Sequence, residues 1–339
     1  MSEAASEAML SSDEALELAI GALSAQQSGA VIQRLSGGVS ALVFRVTFAD
    51  RPSVVLKQSR PVLDVPGFWP ADPRRSAFEA AALQVMGEMT SDRVPRVLAV
   101  DNERHVLIME AAPESWVNYK SALLEGDAEP HVAGLVAEAL ATWHGQTLGS
   151  TSVKDGFLRL TDLEDLRIHP WFGAAAEDEP ALEPLMNRAT SILRQPGRCL
   201  VHGDATPKNV LSSPGGNAAW LLDPEVAHFG SPEFDVAMWC SHLLLKMHRV
   251  SEPTSAANAG AALAVFAAAY REGAPDGLVV DEALRTLLAA VTEGRLHGLS
   301  RVEYIDTIDR ARLFDTTTRI LVEPGSALGL LHDMGEAAA

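Results

Sequence analysis

A chain of 339 residues, 47% hydrophobic and 21% charged, has enough apolar material for two cores, and no stretch of it reads as an extended disordered tract. Its formal charge of −18, from 27 Lys and Arg against 45 Asp and Glu, repels phosphate backbones and anionic lipid, which argues against nucleic acid or a membrane as partner. That charge serves solubility first and suits a cationic small molecule second. Residues 1–7 lack the basic and apolar regions of a secretory signal, and no uncharged apolar run approaches the roughly 18 residues that span a bilayer, so the cytoplasm is the expected compartment. Cys199 and Cys240 are too few for a disulfide framework and too far apart for a CxxC motif; both read as buried thiols.

In chain order, residues 12–28 read as a capped helix, with Ser12 and Asp13 ahead of a run whose apolar residues repeat at helical spacing. Short β-branched runs follow at 31–32, 42–48 and 53–57, divided by Ser36-Gly37-Gly38 and Asp50-Arg51-Pro52, the pattern of an antiparallel meander. A helix over roughly 73–89 carries Phe78, Ala82, Leu83 and Met86 on one side, and strands return at 96–100 and 105–110. Pro113 closes that series. Beyond it the sequence is mostly helical, with candidates at 131–147, 179–194, 233–249, 255–272, 281–297 and 303–320. The class is α+β: a first domain, 1–111, of antiparallel sheet with one main helix, and a larger, mostly helical domain over 112–339.

The chemistry concentrates in Cys199-Leu200-Val201-His202-Gly203-Asp204-Ala205-Thr206-Pro207-Lys208-Asn209-Val210-Leu211 and in Trp220-Leu221-Leu222-Asp223-Pro224-Glu225, two polar loops bracketed by short apolar strands. Phosphoryl transfer needs a carboxylate beside the attacking hydroxyl and oxygen ligands for the metal that holds the triphosphate. Asp204 fits the first need, and Asn209, Asp223 and Glu225 fit the second. Singly, each of these residues would read as a turn or cap residue. Their order and spacing favour a kinase catalytic loop, with His202 fixing the tight turn at Gly203.

These two segments resemble the catalytic and metal motifs of aminoglycoside-phosphotransferase-like small-molecule kinases, relatives of protein kinases. The resemblance runs from about 30 to 325 and implies a bilobal fold with ATP in the cleft and Mg2+ beside it. Lys57 would contact the α- and β-phosphates and be held by Glu79. Gly37, Gly38 and Ser40, between the first two strands, form either a hairpin turn or a glycine-rich loop over the phosphates. Backbone groups from Met109 to Ala112, with Glu110 and Ala112 the contact residues, would meet adenine. Asp235 would brace the catalytic loop, while Lys208 either approaches the γ-phosphate or is simply exposed.

Residues 54–61, Gly67-Phe68-Trp69-Pro70, Arg74 to Leu83 and Phe229-Gly230-Ser231-Pro232 are further similar to methylthioribose kinases, and Arg167-Ile168-His169-Pro170-Trp171 echoes another stretch of them. Those enzymes typically carry a small hydroxyl residue where Asn209 stands, and a late pair of arginines where Thr318 precedes the single Arg319. Trp69 and Arg319 are the substrate-side candidates; Trp69 either closes over substrate or packs against its own lobe. The expected activity is transfer of the γ-phosphoryl of ATP to a hydroxyl of a small metabolite such as a methylthioribose-like sugar. An antibiotic kinase acting on an aminoglycoside and a non-catalytic nucleotide-binding module are the alternatives. The expected partner is a small-molecule acceptor, and a homodimer is compatible with it.

Overall fold

The computed structural model describes residues 9–24, 29–35, 38–65, 68–250 and 252–339. The chain divides into two compact units, Met1–Pro113 and Glu114–Ala339.

In the first unit α1 (Ser12–Leu23) precedes β1 (Val31–Leu35), β2 (Ala41–Thr47), β3 (Val54–Ser59), α2 (Arg75–Met89), β4 (Val97–Asp101) and β5 (Val106–Glu110). The strands form one antiparallel sheet in the order β1-β2-β3-β5-β4. Ser11 caps α1 in a reciprocal box: its Oγ accepts from the Glu14 amide while Glu14 accepts from the Ser11 amide. The cap therefore stands one residue earlier than Ser12. Alternation along β2 and β3 sends Leu42, Phe44, Val46, Val54 and Leu56 into a core closed by Ala15 and Ala19 of α1. The same alternation turns Lys57 to the opposite face, toward α2, whose buried residues include Glu79, Ala82, Leu83 and Met86.

The second unit continues with β6 (Val117–Asn118), α3 (Tyr119–Glu125), α4 (His131–Thr147), α5 (Thr151–Gly156) and α6 (Thr161–Leu163). α6 runs into a π-helix (Glu164–Gly173), followed by α7 (Ala174–Asp178) and α8 (Glu183–Leu193). Next come β7 (Cys199–Val201), β8 (Val210–Ser212), β9 (Ala219–Leu221), β10 (His228–Gly230), α9 (Pro232–Met247), α10 (Pro253–Gly273), α11 (Asp281–His297), α12 (Arg310–Val322) and α13 (Ala327–Ala338).

α9 is buried over nearly its whole length and packs against α10 and α11. Trp239 stacks between Tyr119 and Phe266, with ring centroids 6.0 and 5.6 Å away. β7 pairs with β10 in a buried ladder, and β8 pairs with β6 and β9, so the two polar loops hang from short ladders.

The expected helix over 303–320 starts later, at Arg310, because the Asp309 carboxylate accepts from the Arg312 amide and sets the cap there. Cys199 and Cys240 are free and buried, and burial pushes both thiols up, so neither ionises readily. Among the described residues no helix is long and apolar enough to cross a membrane.

Candidate active site

The loop after β7 is built by its backbone. Gly203 has φ +78, and a Cβ there would lie 2.4 Å from the Val226 carbonyl oxygen, so only glycine fits the turn. Asp235, in the first turn of α9, accepts from the His202 amide at 2.6 Å and the Gly203 amide at 2.8 Å. Its Oδ2 also lies 3.1 Å from His144 Nε2, and His144 Nδ1 is 2.8 Å from the Tyr270 hydroxyl. Burial opposes ionisation of Asp235, but the His144 bond and the backbone amide hold its carboxyl below the usual range. The Asp204 amide donates to His202 Nδ1 at 3.2 Å, which places the imidazole proton on Nε2. Burial lowers the His202 pKa, so the ring is a neutral part of the turn.

Asp204 is held asymmetrically. Its Oδ2 lies 3.0 Å from Arg167 Nη2 and 3.1 Å from Lys208 Nζ, and accepts from Asn209 Nδ2 at 2.7 Å. Its Oδ1 is buried with no hydrogen-bond partner among the described residues. Burial raises the pKa, yet Arg167, Lys208 and Asn209 together bring it down to about 2, so the group is a carboxylate at neutral pH. Asn209 Nδ2 donates a second bond to the Asp204 carbonyl at 2.9 Å, which leaves the amide oxygen of Asn209 for another ligand.

The Leu222 amide donates to the Asn209 carbonyl at 2.8 Å and ties the second loop to the first. Asp223 follows with φ +63, a left-handed conformation rare for a non-glycine residue, and Glu225 beyond Pro224 is buried. Asp204, Asn209 and Asp223 thus sit on two loops joined by this bond.

In the first unit Lys57 Nζ lies 2.8 Å from each carboxylate oxygen of Glu79, and both side chains are buried. Gly38 is restricted, since a Cβ would stand 2.3 Å from the Ala41 carbonyl oxygen. The Ser40 carbonyl accepts from the Arg60 amide at 2.9 Å and from Arg75, and Gly37 lies outside the described residues. Glu110 pairs its side chain with Arg96, 2.8 Å away, while the Ala112 carbonyl accepts from Arg45 at 2.9 Å. Trp69 is half-buried, and its carbonyl accepts from the Leu63 amide at 2.9 Å. Arg319 is an exposed residue of α12 paired with Glu323 at 3.2 Å.

The arginine that does reach Asp204 is Arg167, on the π-helix, with its Nε also 3.3 Å from the Gly203 carbonyl oxygen. Sequence reasoning gave it no part at Asp204. The one sequence signal was the methylthioribose-kinase-like stretch Arg167-Ile168-His169-Pro170-Trp171; the π-helix that sets its register, a departure common near functional sites, is seen only in the structure.

The family model described as "Phosphotransferase enzyme family" matches residues 31–275, well over half of the chain. The chain belongs to this family. As a phosphotransferase-family member it is 25% identical to a methylthioribose kinase of Bacillus cereus over 248 residues, covering 65% of this chain and 62% of that protein. It is 24% identical to methylthioribose kinase 1 of Oryza sativa over 259 residues, covering 64% and 59%. The match thus spans about three fifths of the length of these curated relatives.

Among solved structures, a choline/ethanolamine kinase family protein from Mesorhizobium loti aligns with TM-score 0.51 and 17% identity over 95% of this chain and 99% of its own. A macrolide 2'-phosphotransferase from Brachybacterium faecium aligns with TM-score 0.51 and 18% identity over 93% and 99%. At these identities the likeness is one of fold, and it places this phosphotransferase-family chain in the fold class read from its strand and helix order.

Proposed function

We propose that the chain is a small-molecule kinase that transfers the γ-phosphoryl group of ATP to a hydroxyl of a metabolite. The observation that carries this reading is the asymmetry of Asp204: one oxygen is fixed by Arg167, Lys208 and Asn209, while the other is buried and open to accept a hydrogen bond. A carboxylate with a pKa of about 2 is a weak base, so its work is to orient the acceptor hydroxyl and take its proton as the O–P bond forms.

The free amide oxygen of Asn209 and the carboxylate of Asp223 are hard oxygen donors on joined loops, a set that suits magnesium, and Glu225 stands close in sequence to reach it directly or through water. Among the described residues no three or more His, Cys, Asp or Glu side chains are set to hold a metal, so phosphate oxygens and water would complete the shell. Magnesium, when bound with ATP, supplies positive charge against the phosphate oxygens. Lys57, oriented by Glu79 on its sheet face, fits the part of a phosphate-binding lysine. Residues 1–111 would then bind nucleotide, with the 38–40 turn and the backbone at Glu110 and Ala112 at its edges, and residues 112–339 would hold the acceptor.

A methylthioribose-like sugar is the first acceptor to test, given the 24–25% identities. The test is MgATP consumption over methylthioribose, other pentoses, amino alcohols and aminoglycosides, with Asp204→Ala as blank. Turnover with one member, absent from the blank, supports the reading. Nucleotide binding with no transfer to any member would favour a non-catalytic nucleotide-binding module.

A further inference from the structure

The surroundings of Asp204 bear on the chemistry of the acceptor. Although the chain is strongly acidic, basic side chains gather at this point of the second unit. Arg167 and Lys208 meet Asp204 directly. The indole of Trp171 is flanked by two guanidiniums, those of Arg167 and Arg295, each 5.0 Å from its ring centroid. Arg295 donates Nη1 to Ser300 Oγ at 2.7 Å, and its buried Nε has no hydrogen-bond partner among the described residues.

Farther along lies Lys246 on α9, with 0% exposure. Its Nζ donates to the His242 carbonyl at 3.2 Å and to the Tyr304 hydroxyl at 3.1 Å, both neutral, and lies 5.2 Å from the Tyr304 ring centroid. Arg249 sits over the same ring at 5.5 Å. Among the described residues no carboxylate is within ion-pairing distance of Lys246, Arg249 or Arg295; Glu303 is paired with Lys120.

A buried ammonium without an ion-paired carboxylate is costly, and methionine or leucine would fill the same place beside Leu243, Leu244 and Leu245. Asp235, His242 and Lys246 recur at i, i+7 and i+11 of α9, hence on one face, and Asp235 on that face holds the amides of the catalytic loop. A retained charge on this face, beside two more cations that lack a carboxylate partner, has the form of a site that waits for an anion.

We propose that Lys246 and Arg295 form an oxyanion subsite beside Asp204, so that the alcohol phosphorylated here also carries a carboxylate or phosphate group. This rests on the kinase reading, and it departs from neutral methylthioribose and from cationic amino alcohols and aminoglycosides alike. Burial, with Lys120, Arg295 and Arg249 nearby and Glu303 opposing them, brings the Lys246 pKa down to about 7. His242, on the same face, is held well below its ordinary value by burial and by Lys246 and Arg295, and so adds no charge. The ammonium form is therefore half-populated near pH 7, predominates below it and is lost above it, which makes anion affinity fall with rising pH.

The test uses the full chain and two readouts. Sulfate is titrated calorimetrically with and without saturating Mg2+ and a nonhydrolysable ATP analogue, in the wild type and in Lys246→Met. One sulfate site is expected that persists beside the nucleotide analogue, weakens about 20-fold from about pH 6.5 to about pH 8.5, and disappears in Lys246→Met. That variant removes a buried charge at nearly constant volume and should have a Tm equal to or above the wild type; Arg295→Gln, as a second variant, should weaken sulfate about 10-fold. In the turnover arm, ribose 5-phosphate and D-gluconate should be preferred over ribose and glucose, with the preference lost in both variants. Sulfate displaced by the nucleotide analogue, sulfate binding unchanged in Lys246→Met, or a preference for the neutral sugars would overturn the subsite. Sulfate binding as expected with no MgATP consumed on any acceptor would keep the subsite and remove the kinase reading.

Discussion

Replacing Arg167 by methionine separates the electrostatic support of Asp204 from its packing. In the wild type the Asp204 carboxyl is fully buried with a pKa of about 2, against an ordinary value of 3.8. That difference corresponds to about 2–3 kcal/mol of folding stability at neutral pH. Because the folded-state pKa is the lower one, the contribution is complete above about pH 4 and disappears as pH falls through about 2.

Without Arg167, the Asp204 carboxylate keeps Asn209 and Lys208, but Lys208 is 53% exposed and its charge is screened. Arg167→Met should raise the Asp204 pKa by about 1–3 pH units and cost roughly 3 kcal/mol at pH 7. The assays are urea unfolding at several pH values and kcat/KM for phosphoryl transfer against pH. The acid limb of the profile should move upward, and the stability difference from wild type should shrink as the medium is acidified. Superimposable pH profiles with an unchanged unfolding midpoint would refute the reasoning, because Asp204 would then owe its ionisation to something other than Arg167.

Lys57→Ala leaves the Glu79 carboxylate buried without its ammonium and should lower stability by about 3–5 kcal/mol in urea titration, with a loss of MgATP affinity measured separately. Gly203→Ala forces a Cβ against the Val226 carbonyl at positive φ and should cost at least about 2 kcal/mol, read as a lowered unfolding midpoint. Asp235→Asn removes one of the acceptors that hold the His202 and Gly203 amides; kcat should fall far more than nucleotide affinity, and stability by about 1–3 kcal/mol. Asp223→Ala should weaken magnesium-dependent nucleotide binding while magnesium-independent binding stays, checked by titration with and without the metal.

Much of this molecule was legible because its signals were local. The strands around Leu42, Phe44 and Val46 alternate with period two, and the long helices carry apolar residues at helical spacing, so their placement follows from pattern alone. Helix ends were less visible where a side-chain cap decides them, as at Ser11 and Asp309. The π-helix at Glu164–Gly173 has no single-sequence signature, and without its register Arg167 cannot be aimed at Asp204. Asp204, Asn209 and Asp223 could be picked out because they share two short segments bounded by strands. Lys246 and Arg295 could not, since a lysine at the end of a helix and an arginine near the end of another look like surface residues until α9 and α11 are packed. Arg319, singled out through the resemblance to the late arginine pair of methylthioribose kinases, pairs with Glu323 on an exposed face of α12.

The central claim is that the open oxygen of Asp204 orients an acceptor hydroxyl for phosphoryl transfer. Its most direct test is MgATP-dependent transfer by the wild type and Asp204→Ala on the best acceptor of the combined panel, with MgATP affinity measured alongside. A loss of about 100-fold or more in kcat is expected, with nucleotide affinity within about threefold of wild type. Transfer that continues at the wild-type rate in Asp204→Ala would contradict it.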